Sequence, residues 1–131
     1  MYRQYASHYK RQEIQTASPG KIIVLLYDGA IKNLNAAEAA YEAKDYERKS
    51  SAITKTQDII VELMNALNFE QGGEIAERLQ SLYTYVMRRL LDADIKKDLK
   101  AIDETRNILS ELRESFAAIV KNQDGMQAKT G

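Results

Sequence analysis

Helix-breaking residues are scarce in this chain of 131 residues, and their scarcity limits what the chain can fold into. There is one proline, Pro19, and there are six glycines, so long stretches can run as uninterrupted α-helix. Ser18 stands before Pro19 as a helix N-cap. Proline suits the first helical position because the N–H that it lacks would have no partner there. The sequence therefore predicts a helical fold whose first helix begins at Pro19.

Apolar residues recur at intervals of three and four in four successive segments, which predicts four amphipathic helices. We expect these helices over residues 19–43, 46–68, 74–93 and 95–121, with Asp45 as the N-cap of the second. The core residues predicted by this spacing are Ile22, Ile23, Leu26, Ala30, Leu34, Ala37 and Tyr41, then Tyr46, Ile53, Ile60, Met64 and Leu67, then Ile75, Leu79, Leu82, Val86, Leu90 and Ala93, and finally Ile95, Ile102, Leu109, Leu112, Phe116 and Ile119.

Short connections make neighbouring helices run antiparallel, so the predicted fold class is all-α, an antiparallel up-and-down four-helix bundle with an N-terminal arm. Residues 1–17 are predicted to be the flexible arm, residues 18–121 the bundle, and residues 122–131 a disordered C-terminal tail. No segment alternates apolar and polar residues as a half-buried strand would.

Charge and composition exclude several classes of function. Lys plus Arg and Asp plus Glu both number 19, so the net charge is zero and no long-range field attracts nucleic acid or anionic lipid. The longest strongly apolar run, from Ile22 to Tyr27, is too short to insert into a membrane. The absence of cysteine is typical of a reducing compartment, and the predicted location is the cytoplasm.

Residues that could carry catalysis are few. His8 is the sole histidine and lies in the arm, without carboxylates at metal-binding spacing. The pairs Glu111 and Glu114, and Asp92 and Asp94, are interpreted as solvated surface carboxylates, and Gly72-Gly73 as a helix stop. The sequence predicts no enzyme activity, no cofactor and no metal. An enzyme is kept as a remote alternative.

Apolar residues also lie off the predicted core stripes, and together they predict an exposed groove that binds a partner protein. Burial between two neighbouring helices is the competing interpretation for any one of them. Eight tyrosines without tryptophan suit a surface that is wet in one state and covered in another. The residues predicted to line the groove are Val24, Leu25, Ile31, Ile59, Tyr85, Met87, Leu91 and Ile108, and those predicted to form a displaceable arm are Tyr5, Tyr9 and Ile14.

The segment Thr16–Lys21, continuing as IIVLLYDGAIKNL, resembles the opening signature of the FliS family of flagellar export chaperones. Further matching segments are Lys55–Ile60 with Glu62-Leu63, Gly72–Ala76 with Leu79 and Leu82-Tyr83, Tyr85–Leu90, Ala93–Asp98, and Leu112-Arg113. Phe116 departs from the family pattern, which usually has tryptophan there. The similarity extends over about residues 2–120.

This resemblance implies a cytosolic export chaperone. Such a protein binds the disordered C-terminal segment of flagellin, prevents premature polymerisation, and hands flagellin to the export gate of the flagellar type III secretion apparatus. Other flagellar regulators are further candidate partners. The arm would be displaced when the cargo segment folds on binding. The alternative from a different class is a homodimeric helical module with a structural or regulatory role.

Overall fold

The computed structural model describes the backbone of residues 19–130 and the side chains of residues 19–123. The described backbone is helical apart from three short connections, which confirms the all-α four-helix prediction. The predicted arm lies outside the described residues. The helices are α1 (Pro19–Glu42), α2 (Tyr46–Asn65), α3 (Phe69–Ile95) and α4 (Leu99–Thr130).

Each helix packs against its neighbours in the chain, and α1 also packs against α4, which closes the bundle. The contacts of α1 with α2 and α4 are more extensive than those of α3 with α2 and α4. Gly20 allows the start of α1 to approach α4 closely, because a Cβ atom there would lie 2.6 Å from Cγ2 of Val120. Helix α1 is therefore the best-packed element of the bundle.

Two of the three connections are built alike. In each, a lysine adopts a left-handed backbone conformation, with φ of 60° at Lys44 and 54° at Lys97. An aspartate then caps the next helix: Asp45 Oδ1 accepts from the N–H of Arg48 at 3.2 Å, and Asp98 Oδ1 from that of Lys100 at 3.0 Å. The predicted Asp45 cap is confirmed, whereas the fourth helix begins at Leu99 and not at residue 95.

The connection between α2 and α3 is followed by a break in the helical backbone near the start of α3. The side chain of Asn68 caps the helix by accepting from the N–H of Gln71 at 3.0 Å. At Gly73 the backbone leaves the helical conformation, with φ of 49° and ψ of −121°. The predicted helix start at residue 74 follows this break directly, but the preceding turn is helical too.

The C-terminal residues 122–130 are helical in the structure. These residues continue α4 as helix, whereas we expected a disordered tail after residue 121. The segment is polar but contains no proline, and polar residues are compatible with a helix.

Of the 24 predicted core positions, 11 are buried, including Leu34, Ile53, Leu90 and Leu109, and nine are partly buried. The prediction is wrong at helix ends, where neighbouring helices no longer reach the side chain. Three positions are much more exposed than a core residue, Ile75 (69%), Ile95 (69%) and Ile119 (50%), and Tyr46 is exposed to a lesser extent. Buried residues that the spacing did not predict are Tyr27, Tyr83, Lys49, Thr56 and Thr105.

Lys49 of α2 is a buried charge that joins α2 to the end of α3. Its side chain is 2% exposed and forms an ion pair with Asp94 Oδ1 at 3.4 Å. Lys49 Nζ also donates to the backbone carbonyl of Asp94 at 2.8 Å, and Ser50 Oγ donates to Asp94 Oδ1 at 2.6 Å. These contacts fix the antiparallel register of α2 and α3.

We expect an asymmetric response when this ion pair is broken. Asp94→Ala leaves the Lys49 ammonium buried with only a backbone acceptor, and should lower the free energy of unfolding by about 2 kcal/mol. Lys49→Met leaves a partly exposed carboxylate that Ser50 still contacts, and should cost less than about 1 kcal/mol. Urea unfolding measures both. Equal losses would show that the burial of Lys49 does not govern the pair.

Gly73 should be intolerant of any side chain. An added Cβ meets no atom within 4 Å, so the penalty arises from the backbone conformation alone. We expect Gly73→Ala to lower the free energy of unfolding by about 1–2 kcal/mol, measured by urea unfolding. Glu77→Ala, an exposed substitution on the same helix, is the control and should change stability by less than about 0.5 kcal/mol. If Gly73→Ala leaves the free energy of unfolding unchanged, the left-handed backbone conformation at Gly73 is contradicted.

Candidate protein-binding site

Charged contacts close the seam between α1 and α4. Arg113 Nε donates to Asp28 Oδ1 at 2.9 Å, and Arg106 pairs with Glu38 and donates to Asn35 Oδ1 at 3.0 Å. The hydrogen bond to Asp28 raises the pKa of Arg113. A partner that entered this seam would have to break these pairs, so the seam is poorly suited to binding an apolar segment.

The seam between α3 and α4 is closed in the same way. Arg89 lies 3.1 Å from Asp92, 3.5 Å from Asp98 and 3.4 Å from Glu104. Tyr85 donates a hydrogen bond to Glu104, and this bond raises the pKa of Tyr85. The groove between α1 and α2 is lined by small residues together with the charged residues Asp45, Arg48 and Lys55.

The seam between α2 and α3 differs because uncharged residues form it over most of its length. The contacts of Asp94 with Lys49 and Ser50 mark one end, and the register they fix extends along both helices. Within residues 19–123, no other ion pair crosses between these helices. Helical steps of three and four from that end assign to this seam the positions Thr54, Gln57, Val61 and Met64 on α2 and Leu91, Met87, Thr84 and Gln80 on α3.

Apolar side chains are incompletely covered in this α2–α3 seam. Val61 is 42% exposed and Leu91 is 49% exposed, while Met64 and Met87 pack partly against the core. Large apolar side chains that stay accessible beside uncharged polar ones are typical of a surface that another protein covers.

A second uncharged surface is a pit of about 570 Å³ at the end of the bundle where α1 and α3 begin. Side-chain amides of Asn68, Gln71 and Gln123 belong to its lining. The residue that joins the arm to α1, Pro19, lies at the same end as Ile23 of the pit wall. The apolar lining residues are Ile23, Leu63, Leu67, Ile75, Leu79 and Phe116, with Ala66 and Ala76.

Two buried tyrosines lie at the inner end of this pit. Tyr83 belongs to the pit lining yet is almost fully buried, and its hydroxyl forms a hydrogen bond with the hydroxyl of Tyr27. The ring of Tyr27 contacts the ring of Phe116 at 5.6 Å between centroids. Burial raises the pKa of both phenols, so both are neutral at physiological pH.

The predicted groove residues do not form one groove. Met87 and Leu91 lie in the α2–α3 seam, whereas Tyr85 bonds to Glu104 across the α3–α4 seam. Ile108 on α4 and Ile31 on α1 pack partly against the core, and Val24 and Leu25 are half-buried on α1.

The prediction that Ile59 points away from the core is wrong. Ile59 is 2% exposed and belongs to the core cluster, where it packs towards Gly29 of α1. The absence of a side chain at Gly29 lets this isoleucine fit between the two helices. Tyr5, Tyr9 and Ile14 lie outside the described residues.

The groove prediction also missed residues. Val61, off the predicted core face, completes the α2–α3 seam, and Ile75, assigned to the core, lines the pit. The glycine pair at 72–73 could have indicated that Ile75 is exposed, because the helix is interrupted at Gly73, just before Ile75. The depth of the pit depends on how far the helices separate, which periodicity does not report.

The described residues contain neither a cluster of metal-binding side chains nor a membrane-spanning helix. No group of three or more His, Cys, Asp and Glu side chains could hold a metal ion within that part of the chain. Among the same residues, no helix is both long and apolar enough to cross a membrane.

Comparison with known proteins places these features in context. A family model described as "Flagellar protein FliS" matches residues 1–123. The flagellar secretion chaperone FliS of Salmonella typhimurium strain LT2 is 38% identical over 116 residues, covering 88% of this chain and 86% of the relative. The corresponding chaperone of Bacillus subtilis strain 168 is 31% identical over 115 residues, covering 88% and 85%.

A solved structure described as a flagellar chaperone from bacteria has the same fold. It superimposes with a TM-score of 0.75 over 91% of this chain and 97% of its own, at 20% sequence identity. The four-helix arrangement is therefore shared at a level of identity where most side chains have changed.

Proposed function

This chain belongs to the FliS family of flagellar secretion chaperones, and from that membership we propose that it binds the C-terminal segment of flagellin in the cytosol. In this proposal the bound segment cannot polymerise prematurely, and the complex delivers it to the export gate of the flagellar type III secretion apparatus. Other flagellar regulators are further partners in the same proposal. The chain acts by binding and not by catalysis.

The α2–α3 seam is the observation that supports this proposal most directly. A disordered segment that folds into an amphipathic helix can lay its apolar side chains against Val61, Met87 and Leu91. Because no seam residue is charged, the helix would not have to strip water from an ionised group as it binds. The other seams already hold ion pairs or charged side chains.

Delivery requires that the chaperone release its cargo, and the proposed binding mode favours release. Ordering a disordered segment costs roughly 2–5 kcal/mol of the interaction energy, so even extensive apolar burial gives only moderate affinity. A chaperone that bound a rigid partner over the same surface would hold it more tightly.

In the same proposal, the arm covers apolar surface when cargo is absent and is displaced when cargo binds. Tyr5, Tyr9 and Ile14 supply its apolar contacts. The arm joins α1 at Pro19, beside the pit, so it is tethered close to an uncovered apolar surface. Tethering raises the effective concentration of the arm at that surface.

Calorimetric titration with a flagellin C-terminal peptide of about 40 residues tests the cargo assignment. We expect saturable binding with a negative heat-capacity change, because apolar surface is buried as the peptide folds. Leu91→Asp should weaken binding at least about tenfold, since it places a charge where the peptide must exclude water. Ile119→Asp is the matched control, because Ile119 on α4 is 50% exposed, nearly the same as Leu91, and belongs neither to the seam nor to the pit lining.

Equal effects of the two aspartate variants would exclude the α2–α3 seam as the binding surface. If the wild-type chain does not bind the peptide and sediments as a stable dimer, the cargo assignment fails. The homodimeric module then becomes the better interpretation of the uncovered apolar surface.

Weakening the arm should strengthen cargo binding. The triple variant Tyr5→Ser, Tyr9→Ser, Ile14→Ser removes the apolar contacts with which the arm competes. We expect a lower dissociation constant for the flagellin peptide and a faster association rate, measured by stopped-flow fluorescence on a labelled peptide. Replacing Arg3 and Lys10 by serine is the control. A slower association rate in the triple variant would show that the arm assists binding.

A further inference from the structure

The pit at the end of the bundle combines an uncharged lining with a buried hydroxyl pair. Its volume of about 570 Å³ is in the range of about 300–1,000 Å³ that is typical of binding pockets in proteins. Its walls are aliphatic and aromatic, and its polar lining residues include the amides of Asn68, Gln71 and Gln123. A charged group placed here would lose hydration without gaining a partner of opposite charge.

The hydroxyl groups of Tyr27 and Tyr83 carry one more hydrogen than the bond between them uses. Two phenolic hydroxyls carry two hydrogens, and the bond between Tyr27 and Tyr83 uses one of them. The other hydrogen has no protein acceptor among the described residues. Either hydroxyl can be the donor of this bond, and Tyr83 is the one of the two tyrosines that belongs to the pit lining. When Tyr27 donates, the free hydrogen belongs to Tyr83.

The α2–α3 seam leads towards this pit. Met64 is three residues from Leu67 of the pit wall, and Gln80 is four residues from Ala76 of the same wall. A helix that lies along the seam therefore reaches the pit with one of its ends. The carboxyl end of a helix presents up to four carbonyl oxygens that have no partner inside the helix. These oxygens are the acceptors that a spare hydroxyl and the amide N–H groups can satisfy.

We propose that the pit binds the carboxyl end of a helix formed by the flagellin segment, and that the Tyr83 hydroxyl donates a hydrogen bond to a free carbonyl oxygen there. The inference rests on the proposed function and adds an orientation and a chemistry to it. The turn that enters the pit is apolar and uncharged. Tyr27 positions the Tyr83 hydroxyl by occupying its acceptor side.

Two conservative substitutions distinguish the role of Tyr83, which donates to the cargo, from that of Tyr27, which positions the Tyr83 hydroxyl. Tyr83→Phe removes the hydrogen that reaches the cargo, while Tyr27→Phe leaves the Tyr83 hydroxyl free to donate. Both variants lose the same buried hydrogen bond, so each controls for the stability loss of the other. In calorimetry with the flagellin peptide we expect binding about threefold to tenfold weaker for Tyr83→Phe and within about twofold of wild type for Tyr27→Phe.

A spin-label measurement tests the orientation independently of affinity. The chain has no cysteine, so Glu70→Cys places one nitroxide beside the pit without replacing a lining residue. In NMR spectra of the bound, isotope-labelled peptide, we expect broadening at the last turn of the peptide helix that contacts the seam.

The outcomes are distinguishable. Broadening at the amino end of that helix, unchanged binding by Tyr83→Phe, or equal losses in both tyrosine variants would overturn the inference and leave the cargo assignment intact. Tighter binding by Tyr83→Phe would show that the Tyr83 hydroxyl holds the arm of the chain and not the cargo. This result would also overturn the inference. Absence of binding by the wild-type chain would overturn the inference and the proposed function together.

Discussion

The contact of Tyr27 with Tyr83 and Phe116 determines how the two ends of the bundle differ. Tyr27 belongs to α1, and through its hydroxyl and ring it reaches both α3 and α4. The three aromatic side chains lie at the end of the bundle where α1 and α3 begin. Towards the other end the buried residues include five alanines, Ala37, Ala40, Ala52, Ala93 and Ala101. Large aromatic side chains therefore pack the end that holds the pit, and small side chains fill part of the core at the other end.

Charge placement decides which surfaces remain available to a partner. The seams of α4 hold guanidinium and carboxylate pairs that would have to be desolvated or broken before an apolar segment could enter. The α2–α3 seam has one such pair, at its end, where Lys49 and Asp94 fix the register. Charged contacts therefore close the two seams of α4, charged side chains line the groove between α1 and α2, and the α2–α3 seam is the side suited to an amphipathic helix. An equal number of positive and negative residues hides this asymmetry in the overall charge.

The packing of the bundle explains how a solved structure with low sequence identity can have the same fold. At 20% identity the solved flagellar chaperone keeps the four-helix arrangement because the fold depends on the spacing of apolar residues more than on their identity. Phe116 illustrates the tolerance: it occupies a partly buried position against Tyr27, where another large aromatic side chain would serve the same packing role. Uncovered apolar surface, in contrast, carries a cost in solubility, which is offset if a partner or the arm covers it.

The sequence by itself determined the helices and their order, because helix formation follows from local spacing, the Asp45 cap and the scarcity of breakers. It also indicated the family, through the segment from Thr16 to Leu34. Only the tertiary structure decided which apolar residues are covered. Ile59 and Ile75 have equally apolar side chains, yet Ile59 is buried beside Gly29 and Ile75 is exposed at the pit, since burial depends on how close the neighbouring helix comes. The pairing of Tyr27 with Tyr83 is likewise a contact between residues far apart in the chain, and periodicity within one helix carries no information about it.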